Sequence, residues 1–141
     1  MATKKRKGYF GGKQSATVTY KWNALDSNGV ANSTLAAHPL GIKFPIGTVI
    51  TNAFYDVITT FTSAADGATI SFGIGAATDL KTATAISVGT TYDDIAATVA
   101  FTPISAATSV KLSAEAELTA TVAVEALTEG ELTICIEYWV P

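Results

Sequence analysis

A chain of 141 residues, 48% of them hydrophobic and 15% charged, is long enough to bury a core as one domain and too apolar to be disordered. Its charged fraction falls well below the roughly 25% of average proteins, so part of a weakly polar surface is expected to be covered in an assembly. A single cysteine, Cys135, excludes an intramolecular disulfide, and no stretch approaches the 18 or so apolar residues that cross a bilayer, so no membrane partner is expected.

The chain starts with Met1–Gln14, MATKKRKGYFGGKQ, which reads as an extended N-terminal arm (residues 1–14) on a body spanning 15–141. Six of the nine basic residues lie at or before Lys21, and all twelve acidic residues lie after it, so a basic arm precedes an acidic body. Lys4, Lys5, Arg6 and Lys7 have no apolar run behind them, which rules out a signal peptide and points to folding in a cytoplasm. Tyr9 and Phe10 sit between glycines that permit sharp turns; the pair either anchors the arm in a neighbour's groove or belongs to a frayed, solvated terminus. A cluster of four basic residues also fits nucleic acid, but the acidic body argues against that partner.

Ser15–Trp22 alternates, with Ala16, Val18, Tyr20 and Trp22 on one face, as a half-buried strand does. A long connection follows to Ala37, with a turn at Asp26-Ser27-Asn28-Gly29; His38-Pro39 then interrupts regular structure. Leu40, Ile42 and Phe44 suggest a short strand, and Pro45-Ile46-Gly47 turns the chain. Gly47–Ser63, GTVITNAFYDVITTFTS, is the dominant stretch: rich in Val, Ile, Thr and aromatics, without Gly or Pro after its start. It reads as one long strand with two alternating sets, Val49, Ala53, Tyr55, Val57 and Phe61 against Ile50, Phe54 and Ile58, and is expected to bend and serve two sheets.

Ala64–Gly67 is a turn, and Ala68–Ile74 is the expected hairpin partner of the long strand. Ala76–Lys81 suggests one helical turn capped by Thr78. Thr82–Val88, Ala96–Phe101 and Thr108–Ser113 are short strands, and Glu117–Glu125 points Leu118, Ala120, Val122 and Val124 to one side. Thr128-Glu129-Gly130 reads as a turn before the closing strand, Leu132–Val140, with Leu132, Ile134, Ile136 and Tyr138 on one face. The result is an all-β, antiparallel, jelly-roll-like β-sandwich of about eight strands.

The residues of catalysis are scarce. His38 is the single histidine, no HxH or HExxH spacing exists, and no GxSxG elbow accompanies a nucleophile. Cys135 lies mid-strand, where it reads as a small hydrophobe. Asp93-Asp94 suits a solvated loop, Glu115 and Glu117 would share a strand face, and Gly73-Ile74-Gly75 lacks the rest of a nucleotide loop. Tyr9, Trp22, Tyr92 and Trp139 would compose a sugar platform, although strand tryptophans more often pack or meet a partner. No catalysis, cofactor or metal site is expected.

The run IGTVITNAFYDVITTFTSAADGATISFGIG, followed by TDLKTATAI and the closing ALTEGELTICIEYWV, resembles small virion proteins of tailed bacteriophages. The resemblance covers most of Pro45–Val140 and implies a jelly-roll-like body, often trimeric, in a capsid or virion component. The role it leads us to expect is capsid decoration, or cement, at the capsid surface: a homotrimer bridging capsomers of the major capsid protein. The arm residues Lys4, Lys5, Arg6, Lys7, Tyr9, Phe10 and Lys13 would bind that partner, and Trp22, Tyr138 and Trp139 would lie at the contact between copies. The alternative is a tail, neck or fibre module that binds host-surface glycan.

Overall fold

A computed structural model describes residues 13–74, 79–89, 91–92, 98–100 and 110–141. Nine strands run through these residues: β1 (Lys13–Lys21), β2 (Ala37–Phe44), β3 (Val49–Ser63), β4 (Thr69–Gly73), β5 (Lys81–Ala85), β6 (Thr98–Ala100), β7 (Val110–Lys111), β8 (Ala116–Ala123) and β9 (Leu127–Trp139). They form two antiparallel sheets, ordered β1-β9-β3-β6 and β2-β8-β4-β5, with the two-residue β7 added beside β3. Without β7, the first strand pairs the last, the second the seventh, the third the sixth and the fourth the fifth. That is a long hairpin rolled on itself, which makes this sandwich a jelly roll.

Alternation places the core between the sheets. β9 turns Leu132, Ile134 and Ile136 inward, β8 turns in Leu118, Ala120 and Val122, and β1 contributes Tyr20. An aromatic centre joins them: Tyr55 stacks on Tyr92 at 5.5 Å and Tyr20 meets Phe72 edge-on at 6.0 Å. Each of these buried tyrosine hydroxyls finds a carbonyl, Tyr20 donating to Asn32 O (2.7 Å), Tyr55 to Thr91 O (2.9 Å) and Tyr92 to Ile70 O (3.0 Å). Burial thereby adds apolar area without stranding a polar tip.

The long strand stays in one sheet and faces one core, where the sequence suggested two. Ile50 pairs with Tyr138 and Asn52 with Glu137, so Thr51 is an extra residue, a β-bulge. One added residue reverses the parity of the strand, and Ile50 therefore enters the same core as Ala53, Tyr55 and Val57. The change of sheet comes after Ser63. β4 pairs with β5 and β8, not with β3 as the sequence suggested. Glu125 fixes this crossover, accepting from the backbone N–H groups of Ala65 (2.8 Å) and Gly67.

Other boundaries also move. β1 begins at Lys13, so two residues of the expected arm already pair with Trp139 and Tyr138. His38 and Pro39 lie inside β2, opposite Ala120 and Thr119. β2 is an edge strand with a register shift directly after Pro39, a setting where proline's missing N–H is tolerated. The last turn falls at Val124–Ala126 rather than Thr128–Gly130, and Val124 points outward, not inward with Val122. Gly130 serves packing instead: it is buried in β9 at φ 137, and a Cβ there would overlap the Phe61 ring. Residues 76–78 of the expected helical turn, Thr78 among them, lie outside the described residues, and Lys81 begins a strand.

Candidate assembly surfaces

The root of the arm is the first surface. Lys13 stands opposite Trp139, and its Nζ lies 3.0 Å from Glu137 Oε1 on the outer face. The hydrogen bond from Lys13 leads in holding the Glu137 carboxyl below its ordinary range, against a desolvation cost and with help from the Lys13 charge and Asn52. Lys4, Lys5, Arg6, Lys7, Tyr9 and Phe10 lie outside the described residues.

Behind this root, β1, β9 and β3 line up in rows: Ser15–Glu137–Asn52, Thr17–Cys135–Phe54 and Thr19–Thr133–Asp56. Opposite neighbours on a sheet face lie within side-chain contact range. Cys135 and Phe54 are half-buried and give the face an apolar centre among short polar residues. The register puts no basic group in the Cys135 row.

The three residues expected at a contact between copies do not come together. Tyr138 is half-buried and meets Phe44 edge-on at 4.9 Å, so part of its ring belongs to the core. Trp139 is 45% exposed at the arm end. Trp22 sits past the other end of β1, packed on the core, with its backbone N–H donating to Gly130 O (3.0 Å). It lines a cavity of about 270 Å³ with Glu129 and Glu131. Tyr92 is fully buried, so the expected sugar platform loses that member; Tyr9 is outside the described residues.

The candidate chemical groups are engaged in structure. His38 is fully buried, with Nδ1 2.8 Å from Asp26 Oδ2 and Nε2 2.8 Å from Thr34 O. Burial raises the Asp26 carboxyl, but hydrogen bonds from Val30, His38 and Asn28 and the His38 charge outweigh it, and the net shift is downward. Glu117 Oε2 accepts from Gly41 N (2.6 Å), clipping the irregular part of β2, so its carboxylate serves the edge strand. Asp93 and Asp94 lie outside the described residues. Among the described residues, no three metal-ligating side chains gather.

One surface went unread in the sequence. The connection from Asn23 to Ala36 exposes Leu25 (67%), Val30 (41%) and Leu35 (57%), and the β8–β9 turn exposes Val124 (69%). The legible signal was an irregular segment carrying aliphatic residues and one charge, Asp26.

No protein-family model matches the chain, and no curated protein matches it in sequence. Its fold is similar to that of chains in three solved bacteriophage capsids. One is in the acid-stable capsid of Helicobacter pylori bacteriophage KHP30: TM-score 0.63, 10% identity, covering 92% of this chain and 88% of that one. Another is in the capsid asymmetric unit of cyanophage Pam1: TM-score 0.63, 18% identity, covering 100% and 93%. The third is in the capsid of Ralstonia phage GP4: TM-score 0.61, 19% identity, covering 93% and 86%. At these identities the shared property is the jelly roll itself, over nearly the whole of each chain.

Proposed function

We propose that this chain is a structural protein of a bacteriophage capsid, acting as a decoration or cement protein that bridges capsomers without covalent chemistry. One observation carries the reading: the jelly roll matches chains of three phage capsids over 92% or more of its length. A fold hosts many functions, so surface chemistry has to agree, and here it does. The single histidine is committed to a buried clamp and the single cysteine lies in a row without a base, which favours a role by contact rather than by turnover.

In this reading the body associates as a homotrimer on the outside of the virion. The arm, Lys4–Lys13, leaves β1 at one end and seats its charges on an acidic patch of the major capsid protein, with Tyr9 and Phe10 as apolar anchors. Such an attachment weakens as salt screens it.

The test is co-sedimentation with capsids that lack the protein. Full-length chain is expected to bind saturably at low salt and to dissociate as salt rises, and a chain without residues 2–12 to lose most of its affinity. Undiminished binding by the truncated chain would overturn the arm's role. No binding by either chain, together with retention on a glycan array, would favour a tail or fibre adhesion module instead.

A further inference from the structure

The exposed aliphatic residues converge on one end of the sandwich. Two backbone bonds, Val122 N–H to Ala36 O (3.0 Å) and Leu127 N–H to Ser33 O (2.9 Å), clamp the segment carrying Leu35 beside the turn carrying Val124. Leu25 is tied into the same connection by its bridge to Ala31, and Val30 by its N–H to Asp26 Oδ1 (3.0 Å). The frame is closed from below: His38 binds both Asp26 and Thr34, and Asn32 is held by Tyr20 and by the Lys21 carbonyl. These side chains are therefore presented on a fixed platform, and little freedom is left to lose when a partner covers them.

Val124 adds a second sign. Its φ of 73° is an outlier for a β-branched residue, and its side chain is 69% exposed. Glycine at that position would relieve the backbone, so the side chain held there at a cost is a candidate for use.

The charge pattern selects the occupant. Between Trp22 and Ala37 the one ionisable residue is Asp26, which is buried and paired with His38, and Glu125 in the adjoining turn is bonded to Ala65 and Gly67. Beyond Lys21 the chain holds all twelve acidic residues against three basic ones, so the bodies of two copies carry like net charge. The connection itself carries no exposed charge, so its aliphatic side chains meet those of a second copy without setting like charges directly against each other, while Glu125, Glu129 and Glu131 stand around it. Position agrees: β1 has nine residues, which separates this end from the arm root by about 27 Å at ~3.4 Å per residue. A partner held by the arm leaves this end free for another contact.

We infer that the end formed by Leu25, Val30, Leu35 and Val124 is the contact between copies of this chain. The inference deepens the multi-copy role proposed above and rests on it; it moves the self-contact away from Trp139 to the opposite end of the molecule.

Sedimentation of the full-length chain in the absence of capsids tests it, so the outcome is independent of whether capsids bind. Wild-type protein is expected to associate with rising concentration. Leu35→Asp should weaken association about tenfold or more with an unchanged circular-dichroism spectrum, and Leu35→Ser serves if the aspartate fails to fold. Val124→Gly should raise the melting temperature yet weaken association, a pairing that a purely structural role would not produce. Trp139→Ala, at the far end, should leave association unchanged. A wild-type protomer at every concentration, full association by the Leu35 and Val124 variants, or dissociation by Trp139→Ala alone would overturn the inference. So would variants that still associate but no longer attach to capsids, since the end would then face the capsid.

Discussion

His38 Nδ1 stands 2.8 Å from Asp26 Oδ2, and both side chains are buried. The ring's other nitrogen faces the Thr34 carbonyl, which can only accept. With the Asp26 carboxyl lowered toward its ionised form, both oxygens that face the ring, Asp26 Oδ2 and Thr34 O, are acceptors, and the ring bridges them. Val30 and Asn28 N–H groups complete the carboxylate's bonds, so the connection between β1 and β2 closes around one buried pair. Breaking a buried pair from one side costs about 3–5 kcal/mol. Asp26→Ala is expected near the low end of that range in urea unfolding, since His38 keeps its bond to Thr34.

Acid should remove the same contribution. The folded Asp26 carboxyl lies below its ordinary value, so its stabilisation is complete above the unfolded carboxyl value of about 3.9 and is lost as pH falls through the lower folded value. The difference in unfolding free energy between wild type and Asp26→Asn should be present at about pH 5 and shrink below about pH 4. An undiminished difference near pH 2 would contradict the assignment.

Gly130 and Phe61 make a second close pair. Gly130 is buried at φ 137 with the Phe61 ring where a Cβ would stand, so Gly130→Ala meets both a strained backbone and an overlap. A cost of about 2 kcal/mol or more is expected, overpacking alone being worth about 1–3. Phe61→Ala should itself cost about 3–5 kcal/mol. The double variant should cost less than the two single changes together, because removing the ring removes the overlap. Strict additivity in the cycle would show that the ring is not what Gly130 accommodates.

These pairs show which parts of the molecule were legible in the sequence. Tyr20 in β1 and Ile134 in β9 follow strict alternation, and both faces could be assigned from the residues alone. Ile50 broke the pattern because a bulge is a property of two paired strands, and a single strand's sequence does not display it. Gly130 carries the usual residue of a turn, yet its reason is a ring from a strand 69 positions earlier. The hairpin expected between β3 and β4 failed for a similar reason: Glu125, far along the chain, holds the Ser63–Ala68 segment as a crossover. The aliphatic end was invisible because the segments carrying Leu35 and Val124 come side by side only after β8 and β9 have folded against the connection. What sequence could find was composition, alternation and the basic arm; what it missed depended on contacts across sheets.

The tyrosines predict behaviour in base. Burial raises the Tyr20 and Tyr55 hydroxyls well above their ordinary range, and burial followed by the neighbouring Tyr55 and Tyr20 does the same for Tyr92. A raised folded value means the folded state holds its proton longer, so this stability is full below about pH 10 and falls as pH rises past it. Each such tyrosine subtracts about 1.4 kcal/mol per pH unit until it ionises in the folded state. Alkaline unfolding should therefore be steep, and ionisation of these three, followed by absorbance at the phenolate band, should coincide with loss of the near-ultraviolet dichroism. Ionisation of all three in protein that keeps its native dichroism would show that their environment is not closed.

The bulge in β3 makes the sharpest test of register. Thr51 is the residue without a partner on β9, and its hydroxyl donates to Glu137 O at 3.2 Å. Deleting Thr51 would make Ile50 the next residue in a regular ladder and keep it facing the core, at the loss of one side-chain bond. That variant should fold, with a cost of about 2 kcal/mol or less. Deleting Asp56, also on the outer face, has the opposite consequence. Every residue before it changes face, so Ile50, Ala53 and Tyr55 would leave the core together. The Asp56 deletion should give no cooperative unfolding transition, because three buried side chains cannot be compensated by local repacking. If the two deletions were equally damaging, the strand's register would not be set by its alternation, and the bulge would have a purpose beyond restoring parity.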